Sequence, residues 1–318
     1  MKAVFLDSEG LHDFDHSQLL QECGSLQQFR TTTPEEVAER IAGMDIVILN
    51  KVKISRRQLQ EVPSIRLICV VATGTDVVDL QAAADLGITA CNCQAYGTDS
   101  VVQHVFSLML ALHTSLLSYH GAVQAGRWQT ASQFCFLDYP IAELKGRTLG
   151  IIGYGTLGRG VAEIARAFGM KVLVARRPGK PPDDRPPLAE VLPAADVLTL
   201  HCPLTEHTRN LIDAGAIALM KQTAFLINCA RGGIVDESAL LTALQQKRIA
   251  GAAMDVLSIE PPRQSNPLLE AGLTNLLITP HVAWASRQAR QRIIDQTVEN
   301  IRAFKAGKPI RTVLPAGR

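Results

Sequence analysis

The sequence Gly150-Ile-Ile-Gly153-Tyr-Gly155-Thr-Leu-Gly158 contains the spacing Gly-x-Gly-x-x-Gly between an apolar run and a helix-forming run. This is the context that a dinucleotide-binding turn requires. The first glycine permits a tight turn, the second lets the backbone approach a pyrophosphate, and the third lets the helix pack closely on the strand. Free N–H groups and the positive dipole end at the helix start favour phosphate. The motif therefore predicts a strand over Thr148–Ile152, a helix over Thr156–Phe168 and a dinucleotide site at their junction.

Short runs rich in Val, Ile and Leu alternate with helical patterns along the rest of the chain. Continuous apolar runs of this length are typical of strands buried on both faces of a parallel sheet. They occur at Lys2–Leu6, Asp45–Leu49, Arg66–Val71, Ile88–Cys91, Lys171–Ala175, Val197–Leu200, Ala224–Asn228, Ala250–Met254 and Leu276–Thr279. The alternation predicts an α/β fold with two series of βαβ units.

Two of the connecting helices have clear ends. We expect one helix over Val77–Leu86, ended by Gly87, with Asp76 or Asp79 as its cap. An amphipathic helix is expected over Ser286–Phe304.

A longer helix is expected before the glycine motif. Residues 98–100 offer N-caps, apolar residues continue to Leu117, and Gly121 and Gly126 end the helix. His104 lies on this helix, where we expect it to serve helix packing or a dimer contact. Residues 131–143 show no periodicity and are interpreted as a connector.

Composition excludes several classes of protein. The chain has 318 residues, 47% of them hydrophobic, which favours two folded domains. Its net charge of +2 argues against a general nucleic-acid-binding protein. Its longest apolar stretch, Val105–Leu117, is shorter than the roughly 20 residues that span a bilayer. The apolar run at the N-terminus is too short for a signal peptide. Seven cysteines, an odd number, predict reduced thiols in the cytoplasm, and their spacing predicts no metal site.

The predicted strand Lys171–Ala175 should end beside the ribose of a dinucleotide. An acidic residue there reads a 2′-hydroxyl, and an arginine accommodates a 2′-phosphate. Here the strand is followed by Arg176 and Arg177, and then by a loop over Pro178–Pro187 with five prolines in ten residues. Two guanidinium groups favour the phosphate. We therefore expect a preference for NADP(H), with NAD(H) also used.

Three later segments each follow a predicted strand of the second series. They are Ile227-Asn-Cys229-Ala230-Arg231-Gly232-Gly233, Ala253-Met-Asp255-Val-Leu-Ser-Ile-Glu260 and Thr279-Pro280-His281-Val-Ala-Trp284. Ligands of open α/β sheets bind at the carboxyl ends of the strands. An arginine, a carboxylate and a histidine are therefore expected near one crevice.

Together with the glycine motif, these segments resemble the D-isomer-specific 2-hydroxyacid dehydrogenase family, from about Asp45 to Phe304. Within that family the chain is most similar to the glycerate dehydrogenases, or hydroxypyruvate reductases. The stretches 72–79, 103–106, 200–204 and 280–284 support this placement.

The resemblance implies a role for each polar residue of the three segments. Arg231 would hold the substrate carboxylate and orient its 2-oxo group. His281 would be the acid/base that gives a proton to the ketone oxygen. Glu260 would hydrogen-bond His281, orient the ring and favour its charged form.

The resemblance also implies cofactor and substrate contacts. The cofactor contacts would be Gly153, Gly155, Thr156, Leu157, Gly158, Arg176, Arg177, His201, Cys202, Pro203, Thr208, Cys229, Ala230 and Asp255, the last near the nicotinamide amide. The substrate contacts would be Lys51, Thr73, Gly74, Thr75 and Trp284.

The fold implied by the family has two Rossmann-like or flavodoxin-like domains with a cleft between them. The substrate domain would comprise residues 1–98 and 289–318, and the cofactor domain residues 99–288. Two copies would form a homodimer through the cofactor domains.

We therefore expect a reductase of hydroxypyruvate, and of glyoxylate. One alternative is a dehydrogenase for another 2-oxo acid. A phosphoglycerate dehydrogenase fits less well, since no extra basic cluster for a substrate phosphate is evident. A second alternative is a non-catalytic dinucleotide sensor similar to the corepressors of this family, which an intact Arg231, Glu260 and His281 set does not exclude.

Overall fold

Two parallel β-sheets organise the chain in the computed structural model, which describes residues 1–181 and 183–315. Contacts divide the chain into two units: Met1–Gly97 with the chain from Ala285 onward, and Thr98–Trp284. The strands within each sheet are parallel and are connected through helices. The prediction of an α/β fold is therefore confirmed.

The first unit is built on a five-stranded sheet. Its strands are β1 (Lys2–Phe5), β2 (Ser25–Gln28), β3 (Ile46–Leu49), β4 (Leu67–Val70) and β5 (Thr89–Asn92). Its helices are α1 (Ser17–Cys23), α2 (Val37–Ile41), α3 (Arg56–Glu61), α4 (Leu80–Asp85) and, from the later part of the chain, α12 (Arg287–Lys305). The strand order is β2-β1-β3-β4-β5, which is the flavodoxin-like order.

The second unit is built on a six-stranded sheet. Its strands are β6 (Thr148–Ile152), β7 (Lys171–Val174), β8 (Val197–Leu200), β9 (Phe225–Asn228), β10 (Gly251–Met254) and β11 (Leu276–Ile278). Its helices are α5 (Thr98–His113), α6 (Leu116–Gln124), α7 (Thr156–Ala167), α8 (Leu188–Ala194), α9 (Ala214–Leu219), α10 (Glu237–Gln245) and α11 (Pro267–Glu270). The order is β11-β10-β9-β8-β6-β7.

The order of the second sheet places a switch point at the end of β6. The chain passes from β6 to β7 on one side and then returns to β8 on the other. Loops leaving the two strands therefore diverge and open a crevice at their carboxyl ends. The glycine motif lies at this position.

The prediction of one continuous helix from residue 98 to Leu117 is wrong. The helix ends at His113, and Ser115 has a φ of +49°. The Thr114 hydroxyl donates to the Leu110 carbonyl, and the Ser115 hydroxyl donates to the Pro140 carbonyl, so side chains compete with the helical pattern at the break. Gly121 lies inside the second helix, α6, which ends before Gly126.

No single helix within the described ranges is both long and apolar enough to cross a bilayer, although α5 and α6 taken together, with a 62° bend, reach that length and composition. The helix expected over Val77–Leu86 begins only at Leu80, because the Asp79 carboxylate accepts the Ala82 N–H and caps it there.

Candidate active site

The turn between β6 and α7 requires glycine at two positions. Gly153 has a φ of +93°, and a Cβ there would lie 2.5 Å from the His201 carbonyl. A Cβ on Gly158 would lie 2.1 Å from the Gly153 carbonyl oxygen. A Cβ on Gly155, in contrast, would meet nothing within 4 Å. The turn is therefore tightly packed on its protein side and open where a pyrophosphate would lie.

The start of α7 leaves its amides available to that open side. Gly155 is the N-cap and supplies no side-chain hydrogen bond to the first turn. Unpaired N–H groups at a helix start bind anions. The residues present therefore fit a dinucleotide, with Thr156 and Leu157 in the first turn of the helix.

Arg176 and Arg177 follow β7 as predicted. The Arg176 N–H donates to the Pro186 carbonyl, which closes the base of the proline-rich loop. The Arg176 Nε is buried and has no hydrogen-bond partner among the described residues. A buried donor without a partner is costly, and a phosphate oxygen would satisfy it.

Two acids, Asp183 and Asp184, lie in this loop, and an arginine pairs with the first of them. The Asp183 carboxylate forms an ion pair with Arg185, and the hydrogen bond from Arg185 is the main cause that lowers the pKa of Asp183. The loop also contacts the segment after β8: a Cβ on Gly179 would lie 2.1 Å from the His207 ring. Pro182 lies outside the described residues.

The loop after β8 carries His201, Cys202, Pro203 and Thr208. The Thr208 hydroxyl donates to the Pro203 carbonyl at 2.7 Å and fixes the loop. His201 Nε2 lies 3.0 Å from the Thr199 hydroxyl, and burial lowers the pKa of His201 to about 4. Its Nδ1 is buried without a partner among the described residues. A neutral ring of this kind is a poor proton donor near pH 7.

Arg231 lies in a tight turn after β9. The Asn228 side chain donates to the Arg231 carbonyl and accepts the Ala230 N–H, both at 3.0 Å. The exposed guanidinium donates to the Ala230 carbonyl at 2.7 Å. Gly232 presses against the next loop, since a Cβ there would lie 1.8 Å from the Leu257 carbonyl oxygen.

Glu260 and His281 form a direct pair. His281 Nδ1 lies 2.6 Å from Glu260 Oε2, and the other carboxylate oxygen, Oε1, accepts the Leu257 N–H at 2.8 Å. Nδ1 is therefore committed to the glutamate, which leaves Nε2 as the ring atom that can exchange a proton with a substrate. The Arg231 turn also packs on Leu257, so one loop contacts both the arginine turn and the glutamate.

Asp255 supports the backbone of His281. The Asp255 carbonyl accepts the His281 N–H at 2.7 Å, and the buried carboxylate accepts the N–H groups of Val282 at 3.0 Å and Ala283 at 2.9 Å. His281 has a φ of +54°, an uncommon conformation for a residue with a side chain. These hydrogen bonds hold it there.

A profile of the D-isomer specific 2-hydroxyacid dehydrogenase NAD binding domain matches residues 106–283. The chain is 47% identical over 316 residues to a glycerate dehydrogenase of Methylorubrum extorquens, covering 98% of each chain.

The chain belongs to the D-isomer-specific 2-hydroxyacid dehydrogenase family.

Other relatives agree with this assignment. The hydroxypyruvate reductase of Blautia hydrogenotrophica is 38% identical, over 98% of this chain and 99% of that one. The structure of an NADPH-dependent glyoxylate/hydroxypyruvate reductase from Sinorhizobium meliloti, in complex with NADP and malonate, is similar with a TM-score of 0.82 and 27% identity, covering 98% and 96% of the two chains. This D-2-hydroxyacid dehydrogenase is therefore an oxidoreductase that uses a nicotinamide dinucleotide and acts on small 2-oxo or 2-hydroxy acids.

The remaining sequence-predicted contacts of the dehydrogenase lie around the two sheets. Cys202, Cys229 and Ala230 are buried, and burial raises the pKa of the Cys202 thiol to about 11. Neither the Cys202 thiol nor the Cys229 thiol is therefore a ready nucleophile.

Trp284 is partly buried and packs on the hydrophobic core that contains β6.

The predicted substrate residues of the first unit follow β3 and β4. The exposed Lys51 and its neighbours donate three backbone N–H bonds to the Asp7 carboxylate, at 2.5 to 3.0 Å. These hydrogen bonds lower the pKa of Asp7, but burial has the larger effect and the pKa is raised. The Thr73 hydroxyl donates to the Cys93 carbonyl at 3.2 Å, in the loop that continues through Gly74 and Thr75.

Sequence reasoning missed the residues that hold the loops of Arg231, Glu260 and His281. Besides Asn228 and Gly232, these include Glu237, whose carboxylate accepts the Ser258 N–H at 2.6 Å and the Asn266 amide at 3.0 Å. The one available signal was Asn228, a polar residue that ends an otherwise apolar strand. Among the described residues, no group of three or more His, Cys, Asp or Glu is arranged to hold a metal ion.

Proposed function

We propose that this D-2-hydroxyacid dehydrogenase reduces hydroxypyruvate to D-glycerate and takes glyoxylate as a second substrate. The observation that carries the proposal is the 2.6 Å contact between Glu260 and His281, on a loop against which the Arg231 turn packs. The named activities of the relatives support the choice of substrate.

Each of the three residues has a distinct task. Arg231 binds the substrate carboxylate with its planar fork and turns the 2-oxo carbon toward the hydride. His281 donates the Nε2 proton to the carbonyl oxygen as that oxygen becomes a hydroxyl. Glu260 accepts the Nδ1–H, fixes the ring orientation and stabilises its positive charge. The nicotinamide dinucleotide, when bound, supplies the hydride that is added to the 2-oxo carbon.

The experiment that tests this function is a steady-state panel with the full chain. Hydroxypyruvate, glyoxylate, pyruvate and phosphohydroxypyruvate are each offered with NADPH and with NADH. The highest kcat/KM is expected for hydroxypyruvate. A preference for another acid would identify a different dehydrogenase, and no turnover with any 2-oxo acid would favour a dinucleotide sensor.

We also propose a preference for NADP(H) over NAD(H). Arg176 presents a buried Nε without a partner among the described residues, and Arg177 adds a second cation at the end of β7. A 2′-phosphate would pair with both, whereas a 2′-hydroxyl would gain little from either.

Replacing both arginines by glutamine is expected to raise KM for NADPH by about 10- to 100-fold, the loss of one or two charge-assisted hydrogen bonds, and to change KM for NADH little. Arg159→Gln, in α7 at the pyrophosphate end, is the matched control and should not separate the two cofactors. Equal changes in KM for NADPH and NADH in the double variant would show that the arginines do not read the phosphate.

A homodimer through the second unit is a further part of the proposal. Large apolar side chains are exposed along the segment after α5. They are Leu116, Leu117, Trp128, Phe134, Leu137 and Ile141. The segment folds on itself through the Arg127–Asp138 ion pair, yet Phe134 remains 88% exposed. Exposed apolar surface of this extent marks an interface, and a second copy of the chain would cover it.

Light scattering after size-exclusion chromatography should therefore give the mass of two chains. Phe134→Asp combined with Leu137→Asp is expected to give one chain, while Leu219→Asp, at an exposed apolar residue of α9, should not change the mass. A monomeric wild type would contradict the dimer.

We also propose that the protein works in the cytoplasm, because all seven of its cysteines are free thiols.

A further inference from the structure

His104 of α5 contacts the loop that carries the proposed proton donor. Its Nε2 lies 3.0 Å from the Thr279 hydroxyl oxygen and 3.5 Å from Asp255 Oδ1. The side chain is 21% exposed, and Asp255 is 1% exposed. His104 therefore does more than fill space between helices: it enters a polar network next to His281.

The network has one consistent set of hydrogen-bond directions. The Thr279 hydroxyl lies 2.6 Å from Asp255 Oδ1, and an ionised carboxylate only accepts. Thr279 must therefore donate its single proton to Asp255. Its oxygen is then left as an acceptor for the N–H on His104 Nε2.

Asp255 transmits this arrangement to the segment around His281. Its carboxylate accepts the N–H groups of Val282 and Ala283, and its carbonyl accepts that of His281. The left-handed conformation of His281, with a φ of +54°, is unfavourable for a residue with a side chain and persists only where its surroundings hold it. A change in the rotamer of Thr279 or Asp255 would release that hold.

We propose that His104 is a positioning residue for proton transfer. His104 fixes the Thr279 hydroxyl, and Thr279 in turn fixes the Asp255 carboxylate. Asp255 holds the His281 backbone in the conformation that directs the imidazole to the substrate. The proposal rests on the proposed function, because it takes His281 as the proton donor. It gives His104 a part in the reaction although its ring is bonded to Thr279 and not to the substrate.

The test uses the full chain with hydroxypyruvate and NADPH. His104→Leu removes the N–H at similar volume and is expected to lower kcat about 3- to 10-fold, the effect of one hydrogen bond, with KM for NADPH unchanged. His104→Gln keeps an N–H donor and should restore most of kcat. Thr279→Val should lower kcat more than Thr279→Ser, which keeps the hydroxyl, and this pair decides the question if His104→Leu does not fold.

A double-mutant cycle separates positioning from a merely structural role. If His104 acts through His281, His104→Leu should lower kcat in the wild type but cause no further loss in a His281→Ala background. The solvent isotope effect on kcat should rise in His104→Leu alone, since proton transfer becomes slower.

Equal losses in both backgrounds, or a wild-type kcat in His104→Leu, would overturn the inference and leave the proposed function intact. Full activity of His281→Ala would instead show that the proton donor itself is wrong, and the inference would fall with it.

Discussion

His281→Ala is expected to lower kcat for hydroxypyruvate reduction at least about 10²-fold at every pH, the usual contribution of a general acid. The reason is geometric: Nδ1 is held by Glu260 at 2.6 Å, so Nε2 is the ring atom that can deliver the proton. The effect is measured from the loss of NADPH absorbance, in the steady state or by stopped flow. His207→Ala, a histidine in the loop after β8, is the matched control and should retain kcat.

Glu260→Gln separates the charge of the carboxylate from its shape. Glutamine keeps the length of the side chain but offers the His281 Nδ1–H a neutral amide oxygen in place of the carboxylate oxygen at 2.6 Å. A hydrogen bond to a neutral acceptor is weaker than one to a carboxylate, so kcat for hydroxypyruvate reduction should fall. A wild-type kcat in Glu260→Gln would contradict a part for the Glu260–His281 pair in proton transfer.

Arg231→Lys is expected to lower kcat/KM for hydroxypyruvate about 10²-fold, which corresponds to about 2.7 kcal/mol. Lysine keeps the positive charge but lacks the planar fork that binds a carboxylate through two parallel hydrogen bonds. Asn228 and Gly232 hold the turn, so the substitution should not disturb the fold. The kinetics are compared with those of Arg263→Lys, an exposed arginine near Glu260, which should remain close to the wild type. Near wild-type kinetics for Arg231→Lys would assign the substrate carboxylate to another residue.

The elements that sequence predicted well are those whose causes are local. The limits of β6 and β8 match the prediction residue for residue, because apolar runs with polar or glycine neighbours leave little choice of ends. The start of α7 is also as predicted, since the Gly-x-Gly-x-x-Gly spacing can close only one kind of turn. These are properties that a short stretch of chain carries in itself.

The elements that sequence reasoning missed depend on distant neighbours. The strand Ser25–Gln28 has the polar sequence Ser-Leu-Gln-Gln and is mostly exposed, because it lies at the edge of the sheet and pairs only with β1. Its strand conformation comes from that pairing and not from its side chains. The break after His113 likewise depends on Pro140, more than twenty residues away, whose carbonyl accepts the Ser115 hydroxyl.

The sequence by itself determined the family of this protein, its α/β class, its dinucleotide turn and the identity of its candidate catalytic residues, because each of these is written in contiguous motifs. Only the tertiary structure decided how those motifs meet. It places Gly232 against Leu257 and Glu260 in contact with His281. It also brings His104 into contact with Thr279, which lies 175 residues later in the chain. Hydrogen bonds act over about 3 Å, so partners far apart in the chain can be recognised only after the sheet has brought the ends of its strands together.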